Sequence, residues 1–213
     1  SVIIPSFAVG RSQSLLHYIA LLKKEKSIPD IPVYLDSPMA INATHILLKY
    51  HDQVRLSEAE CRELNEVATY TNTPEQSKEL DITSRPKIII SASGMATGGR
   101  ILFHLKTYAP DPKNTILMTG YQALGTRGAR IEHGEREIKI EGEMVPIRAE
   151  VAIMRSTSAH TDYSETLEWL RHYKKPPRKV FITHGEASSA NSLKEKIEKQ
   201  FGWKCIVPSY LEV

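Results

Sequence analysis

The sequence predicts an α/β protein: a largely parallel sheet flanked by helices, followed by a C-terminal βαβ segment. Three observations lead there. Short apolar runs are each followed by a loop and then by apolar residues at helical spacing, and this unit recurs four times in the first part of the chain. Strands such as Lys87–Ile90 are apolar without alternation, as expected of a sheet buried on both faces. Only one stretch, Arg136–Val151, alternates around Glu141-Gly142 in the manner of an antiparallel hairpin. The composition agrees: 213 residues, 41% hydrophobic and 25% charged, are ordinary for a soluble globular protein. No apolar run is long enough to span a membrane, so no membrane partner is expected. Two isolated cysteines, Cys61 and Cys205, form no motif and point to a reducing, cytoplasmic setting. The net charge of +3 permits a nucleic-acid partner and equally serves solubility.

In order, SVII opens a strand. A turn over Pro5–Gly10 leads to a helix with Leu15, Leu16, Ile19 and Leu22 on its buried side. The abrupt start inside a strand reads as a cut from a longer protein. A second strand, Ile31–Leu35, precedes a helix with Ser37 as N-cap and Pro38 at its first position. Ser57 and Glu60 are spaced as the cap of a more polar surface helix. Thr71–Pro86 is polar and turn-rich and is read as a loop. The third unit, KIIISASGMATGGRILFHLKTY, and the fourth strand, NTILMTG, each end in a glycine-spaced loop. A domain boundary is placed by the hairpin, giving domains 1–145 and 146–213. The chain closes with a helix carrying Leu193, Ile197 and Phe201, a stop at Gly202 and a last short strand.

The most informative stretch runs from Thr157 to Glu186. One apolar run leads to His160. A helix follows, with Asp162 as N-cap, Glu165 completing a capping box, and Tyr163, Leu167 and Leu170 on one face. A second apolar run, KVFIT, ends at His184. If those two strands are parallel neighbours joined by the helix, both histidines sit side by side at the carboxyl edge of one sheet, where such sheets bind ligands. Imidazole there can ligate a metal or move a proton. The other unusual loops, PSFAVGR, DSPMA, SASGMATGGR and GYQALGTRGAR, also follow strands and are expected on that edge. Arg11, Arg100, Arg127 and Arg130 lie at loop ends there with the hydroxyls of Ser6, Ser91 and Ser93. Each alone reads as a surface residue; together they make a rim suited to phosphate. The glycine loop is neither a Walker loop nor a dinucleotide fingerprint. His104, on the helix after it, is not expected to reach the site, and the remaining histidines are read as structural or solvated.

The ordered set PSFAVGRSQ, SASGMATGGR, GYQALGTRG, SAHTD and THGE resembles the β-CASP branch of the metallo-β-lactamase superfamily, whose members process RNA or DNA. The order is similar to that in the endonuclease subunit of the cleavage and polyadenylation specificity factor and its bacterial and archaeal relatives. The resemblance covers nearly the whole chain. It implies a zinc-dependent ribonuclease that hydrolyses RNA phosphodiester bonds with two zinc ions. His184 would be a metal ligand and His160 the catalytic residue contacting the scissile phosphate or protonating the leaving oxygen. Arg11, Ser93, Gly94, Arg100 and Arg127 would bind substrate RNA. The family's HxHxDH motif is absent from this sequence. A catalytic zinc needs about three protein ligands. The 213-residue piece is therefore expected to hold no zinc and to be inactive alone, with the N-terminal metallo-β-lactamase part lying upstream of Ser1.

Two other readings remain at this point. One is a non-catalytic RNA-binding or scaffold subunit of the same fold, which the intact SAHTD and THGE motifs disfavour. The other is a small-molecule enzyme on a doubly wound sheet, which would need a phosphate fingerprint. Residues from about 145 onward are expected to expose apolar surface normally covered by the rest of the fold, with self-association into a homodimer as one outcome.

Overall fold

The computed structural model describes residues 1–158 and 160–209. Ala159, inside the motif Ser158–Asp162, and the last four residues of the closing segment lie outside the described residues. The chain divides into two compact units, Ser1–Ala159 and His160–Val213.

The first unit is a doubly wound α/β layer structure. Strands β1 (Val2–Pro5), β2 (Val33–Asp36), β3 (Thr69–Tyr70), β4 (Ile88–Ser91) and β5 (Thr115–Thr119) are joined by β8 (Glu150–Met154) in one sheet. Its order is β3-β2-β4-β1-β5-β8, and every pairing is parallel. The predicted parallel sheet is therefore observed. The register sets Ile3 beside Ile89 and Ile4 beside Ile90. Successive residues face opposite sides of the sheet, which explains the unbroken apolar runs. Ile3, Ile89, Ile116 and Met118 pack under α4 (Pro74–Ile82), α5 (Ile101–Tyr108), α6 (Arg127–Glu132) and the hairpin β6 (Glu137–Ile140)–β7 (Glu143–Pro146). Ile4, Leu35, Ile88 and Ile90 pack under α1 (Arg11–Lys24), α2 (Pro38–Lys49) and α3 (Glu58–Glu66). A short 3-10 helix, His51–Gln53, links α2 to α3.

The capping signals placed these helices well. Ser37 accepts from the Ala40 N–H, and Pro38 occupies the first helical position. Ser57 and Glu60 form the expected capping box. Leu15, Leu16 and Ile19 are buried, whereas Leu22 is partly exposed on the last turns of α1. Two expectations are corrected. Thr71–Pro86 is not a loop: α4 lies within it, capped by Thr73 with Gln76 and started by Pro74. The glycine-spaced stretch after β5 also contains α6, capped by Thr126. The hairpin turns at Glu141–Gly142 as read, and β8 leaves it to pair with β5 in the main sheet.

The second unit contains α7 (Tyr163–Arg171), β9 (Val180–Phe181), α8 (Ala187–Phe201) and β10 (Cys205–Ile206). β9 and β10 pair in parallel, so β9-α8-β10 is a βαβ unit. Its core is Leu167, Leu170, Ile182, Ala190, Ile197 and Cys205. Asp162 caps α7 with Glu165, and α8 ends at Gly202. Tyr163, expected on the apolar face of α7, is exposed. The sheet assignment differs from the expected crossover: β8 belongs to the six-stranded sheet and β9 to the two-stranded one, so among the described residues the strands on either side of α7 are not paired in one sheet.

Candidate functional site

Because β1, β2, β4 and β5 are parallel, the loops that follow them emerge at one edge of the main sheet. The first loop turns over Ser6–Gly10 and is held by side chains of α1. The buried Ser12 hydroxyl donates to the Phe7 carbonyl at 2.8 Å, and its oxygen lies 3.1 Å from Ser6 Oγ. Gln13, also buried, accepts from the Gly10 N–H at 2.7 Å and donates to Thr44 Oγ1 at 2.9 Å and to the Ala40 carbonyl at 3.1 Å. The Arg-Ser-Gln run thus binds its own loop to α2, and it presents Arg11 at the start of α1.

Arg11 is pressed against Gly120, the first residue after β5. A Cβ on Gly120 would stand 2.1 Å from an Arg11 guanidinium nitrogen, and the φ of +76° there independently favours glycine. The guanidinium donates to Thr157 Oγ1 at 2.8 Å. Burial lowers its pKa from the ordinary value. Among the described residues, no carboxylate forms an ion pair with Arg11.

The glycine-rich loop after β4 folds on itself. Ser93 Oγ accepts from the backbone N–H of Thr97 at 3.0 Å and of Gly98 at 3.3 Å. Gly94 lies under Phe7 so closely that a Cβ would stand 2.8 Å from the ring and 2.9 Å from the Phe7 nitrogen. Arg100, at the end of this loop, donates to Asp36 Oδ1 at 2.6 Å and to the carbonyls of Thr71 at 2.9 Å and Asn72 at 3.1 Å. Asp36 closes β2 and is fully buried. It also accepts from Ser77 Oγ at 2.5 Å and lies 2.8 Å from His104 Nε2. His104 Nδ1 in turn lies 2.7 Å from Asp81 Oδ1. Burial pushes the Asp36 carboxyl up, but hydrogen bonds from His104, Ser77 and Arg100 and the charge of His104 outweigh it and hold its pKa below the ordinary value. Burial likewise works against charging His104, yet the two carboxylates raise its pKa overall. With a carboxylate on each ring nitrogen, His104 donates from both as an imidazolium. This Arg100–Asp36–His104–Asp81 chain locks the glycine loop to the ends of β2 and β3 and to α4. Sequence reasoning missed Asp36 and Asp81 and set His104 aside. The available signal was a lone acid, Asp36, ending an apolar strand.

Arg127 braces the same loop from α6, donating to the carbonyls of Lys139 at 2.6 Å and of Ala96 and Thr97 at 3.3 Å each. Arg130 pairs with Glu135 at 2.6 Å. The structure thus brings Ser93, Gly94, Arg100 and Arg127 together around one loop and sets Arg11 on a neighbouring one.

His160 and His184 both belong to the second unit and are exposed. His160 precedes the Asp162 cap, whose carboxylate accepts from the backbone N–H groups of Ser164 at 2.7 Å and Glu165 at 2.9 Å. Asp162 is therefore committed to α7. His184 follows β9 with a left-handed φ of 64°, two residues before the Glu186 cap of α8. A side chain held in that backbone region marks a turn with a specific demand on it. Among the described residues, no three His, Cys, Asp or Glu side chains converge to hold a metal.

Comparison with known proteins bears on this arrangement. Residues 12–131 match the Beta-Casp domain, and residues 144–208 match the Zn-dependent metallo-hydrolase RNA specificity domain. The chain is 32% identical to the transcription termination factor FttA of Methanosarcina mazei, over 93% of this chain and 33% of that protein. It is 33% identical to an RNase J-like protein of Methanocaldococcus jannaschii, over 100% of this chain and 48% of that protein. It is 38% identical to ribonuclease TTHA0252 of Thermus thermophilus, over 87% of this chain and 43% of that protein. The chain therefore spans about a third to a half of the length of these relatives. Its parallel sheet with glycine loops on one edge and the match over residues 12–131 together make it a member of the Beta-Casp family.

Proposed function

We propose that the chain is the RNA-handling portion of a zinc-dependent ribonuclease that hydrolyses RNA phosphodiester bonds in RNA processing or degradation, within the cytoplasm. The observation that carries this reading is the gathering of Arg11, Ser93, Gly94 and Arg127 in loops at one edge of the parallel sheet, with the Arg11 charge held there beside a neutral partner. A cation held in that way attracts phosphate without first losing an internal ion pair. Arg100 acts on RNA through the loop it fixes, because its guanidinium is directed at Asp36 and two carbonyls. The relatives named as ribonuclease and as RNase J-like support RNA as the substrate.

In this reading the zinc ligands other than His184 come from a metallo-β-lactamase part outside this chain, and His160 serves the scissile phosphate. The chain alone binds RNA without cutting it. The proposed domain boundary at 145/146 falls at the end of the hairpin, ahead of β8, the strand that completes the main sheet of the first unit. Trp169, Tyr173 and Phe181 are all exposed in the second unit. A face of that kind suits cover by the remaining part of the protein or by a second copy in a homodimer.

The test is made on the longer protein. His184→Ala should lose zinc and activity together. His160→Ala should keep zinc and slow cleavage by about 10²–10⁴-fold, the contribution of a positioned acid–base group. Full zinc in His184→Ala, or lost zinc in His160→Ala, reverses the two roles. RNA cleavage by the 213-residue chain alone would overturn its reading as an inactive portion.

A further inference from the structure

Several large apolar side chains are exposed at the carboxyl edge of the first unit. Arg100 and Arg127 are spent on the protein's own carbonyls and on Asp36, and Arg130 on Glu135. Around them, Phe7 is 41% and Val9 71% exposed after β1, and Tyr121 is 55% and Leu124 71% exposed after β5. Burial of large apolar groups is the main driving force of folding, so several left out together in one set of loops call for a ligand.

Two of them are aromatic, and their positions are well defined. β1 and β5 are neighbours, and Thr119 Oγ1 donates to the Pro5 carbonyl at 3.1 Å, tying the two strand ends together. Phe7 and Tyr121 each lie two residues beyond that bond, in the loops that leave neighbouring strands about 4.8 Å apart. Phe7 rests on Gly94, which leaves no room for a side chain beneath the ring. Arg11 lies against Gly120, the residue before Tyr121. The loops after β1 and β5 thus carry two exposed rings, and the Arg11 guanidinium packs on the residue before one of them.

We propose that Phe7 and Tyr121 are base-stacking residues, with Arg11 as the phosphate contact beside them, so that this edge selects unpaired RNA bases. The proposal rests on the RNA reading above and specifies the form of RNA. Every base offers a π-face to an aromatic ring whatever its sequence, whereas a duplex keeps those faces stacked inside. A surface on which Arg100, Arg127 and Arg130 are already engaged gains less from a duplex backbone, whose recognition depends on many phosphate contacts.

The test uses a single-stranded RNA oligonucleotide carrying 2-aminopurine, titrated with the chain and competed with unlabelled single-stranded or duplex RNA. Stacking should quench the 2-aminopurine fluorescence. Tyr121→Leu and Phe7→Leu should each weaken binding by about 5- to 150-fold and reduce the quench, with the salt dependence unchanged. Tyr121→Phe, which keeps the ring, should retain both, and a thermal scan of each variant controls for folding. Arg11→Ala should instead flatten the slope of log affinity against log salt by about 0.7, the value for one phosphate contact on a single strand. RNA binding that the leucine variants leave intact, or duplex that competes as well as single strand, overturns the stacking proposal and leaves the RNA reading standing. Failure to bind RNA in either form overturns both.

Discussion

His104 shows how one residue can govern a site it does not line. Its ring joins Asp36 to Asp81 and so ties Arg100 to two helices. The folded state raises the His104 pKa above its ordinary value of 6.5. Its contribution to stability is therefore complete below that value and is lost as pH rises through the raised folded value. Asp36 has the opposite sign: its pKa is lowered from 3.8, so its contribution is present above that value and is lost as pH falls through the lowered one. The first unit should be most stable in the mildly acidic window between, and urea midpoints measured across pH should fall on both sides. His104→Ala should cost about 3–5 kcal/mol, because it leaves two buried or half-buried carboxylates without their cation. A pH profile that His104→Gln leaves unchanged would show that the titrating group lies elsewhere. Gly120→Ala is a second case. Its methyl group would displace the Arg11 guanidinium, and RNA affinity should drop as it does in Arg11→Ala while the melting temperature changes less. These roles were hard to read from sequence because the partners of His104 are 23 and 68 residues away. A histidine inside a helix carries no local mark of such partners, whereas caps such as Ser37 and Asp162 are completed within four residues and were legible.

Among the elements, α4 is the instructive case. Its nine residues contain only Leu80 as a buried apolar side chain, so hydrophobic spacing gave no helical signal. The signature was at its ends. Thr73, Pro74 and Gln76 form the N-terminal cap, and buried Lys87 donates to the carbonyls of Leu80 at 2.7 Å and Thr83 at 2.6 Å beyond the last turn. Tyr108 adds a hydrogen bond to the Leu80 carbonyl, and burial together with the charge of Asp81 pushes its phenol up to about 12. Thr73→Ala should therefore lower stability by about 1 kcal/mol. Lys87→Met should lower it by about 1–3 kcal/mol, since it strips donors from buried carbonyls. For a unit of this size, each kcal/mol corresponds to about 2–4 °C in the melting temperature, which a thermal scan resolves. The parallel strands, by contrast, were readable because double-sided burial writes itself into the sequence as an unbroken apolar run.

For the whole molecule, the separation into Ser1–Ala159 and His160–Val213 predicts independent folding of the larger unit. It has a core on each face of its sheet, and residues 1–159 expressed alone should give a cooperative urea transition. The smaller unit has one six-residue core and falls in the size range where domains are marginal. Its amides should exchange with solvent sooner than those of β1 and β4. The order of strands explains what sequence left unread at this scale. Apolar runs announce strands, but they do not say which sheet each joins. β8 and β9 flank one helix and still enter different sheets, so the strand pairing expected across that helix is not seen among the described residues.

The same strand order bears on synthesis. β1 is a central strand, yet its partners are β4, where Val2 meets Ile88, and β5, where Val2 meets Thr115. At a ribosomal rate of roughly 5–20 residues per second, the strand waits on the order of 4–17 seconds for its first neighbour. Throughout that interval an apolar segment with two unpaired edges is exposed in the nascent chain, a template for pairing with other chains. Ribosome pausing or rare-codon insertion before Ile88 should therefore lower the soluble yield, while the same pause placed after Thr119 should leave it unchanged.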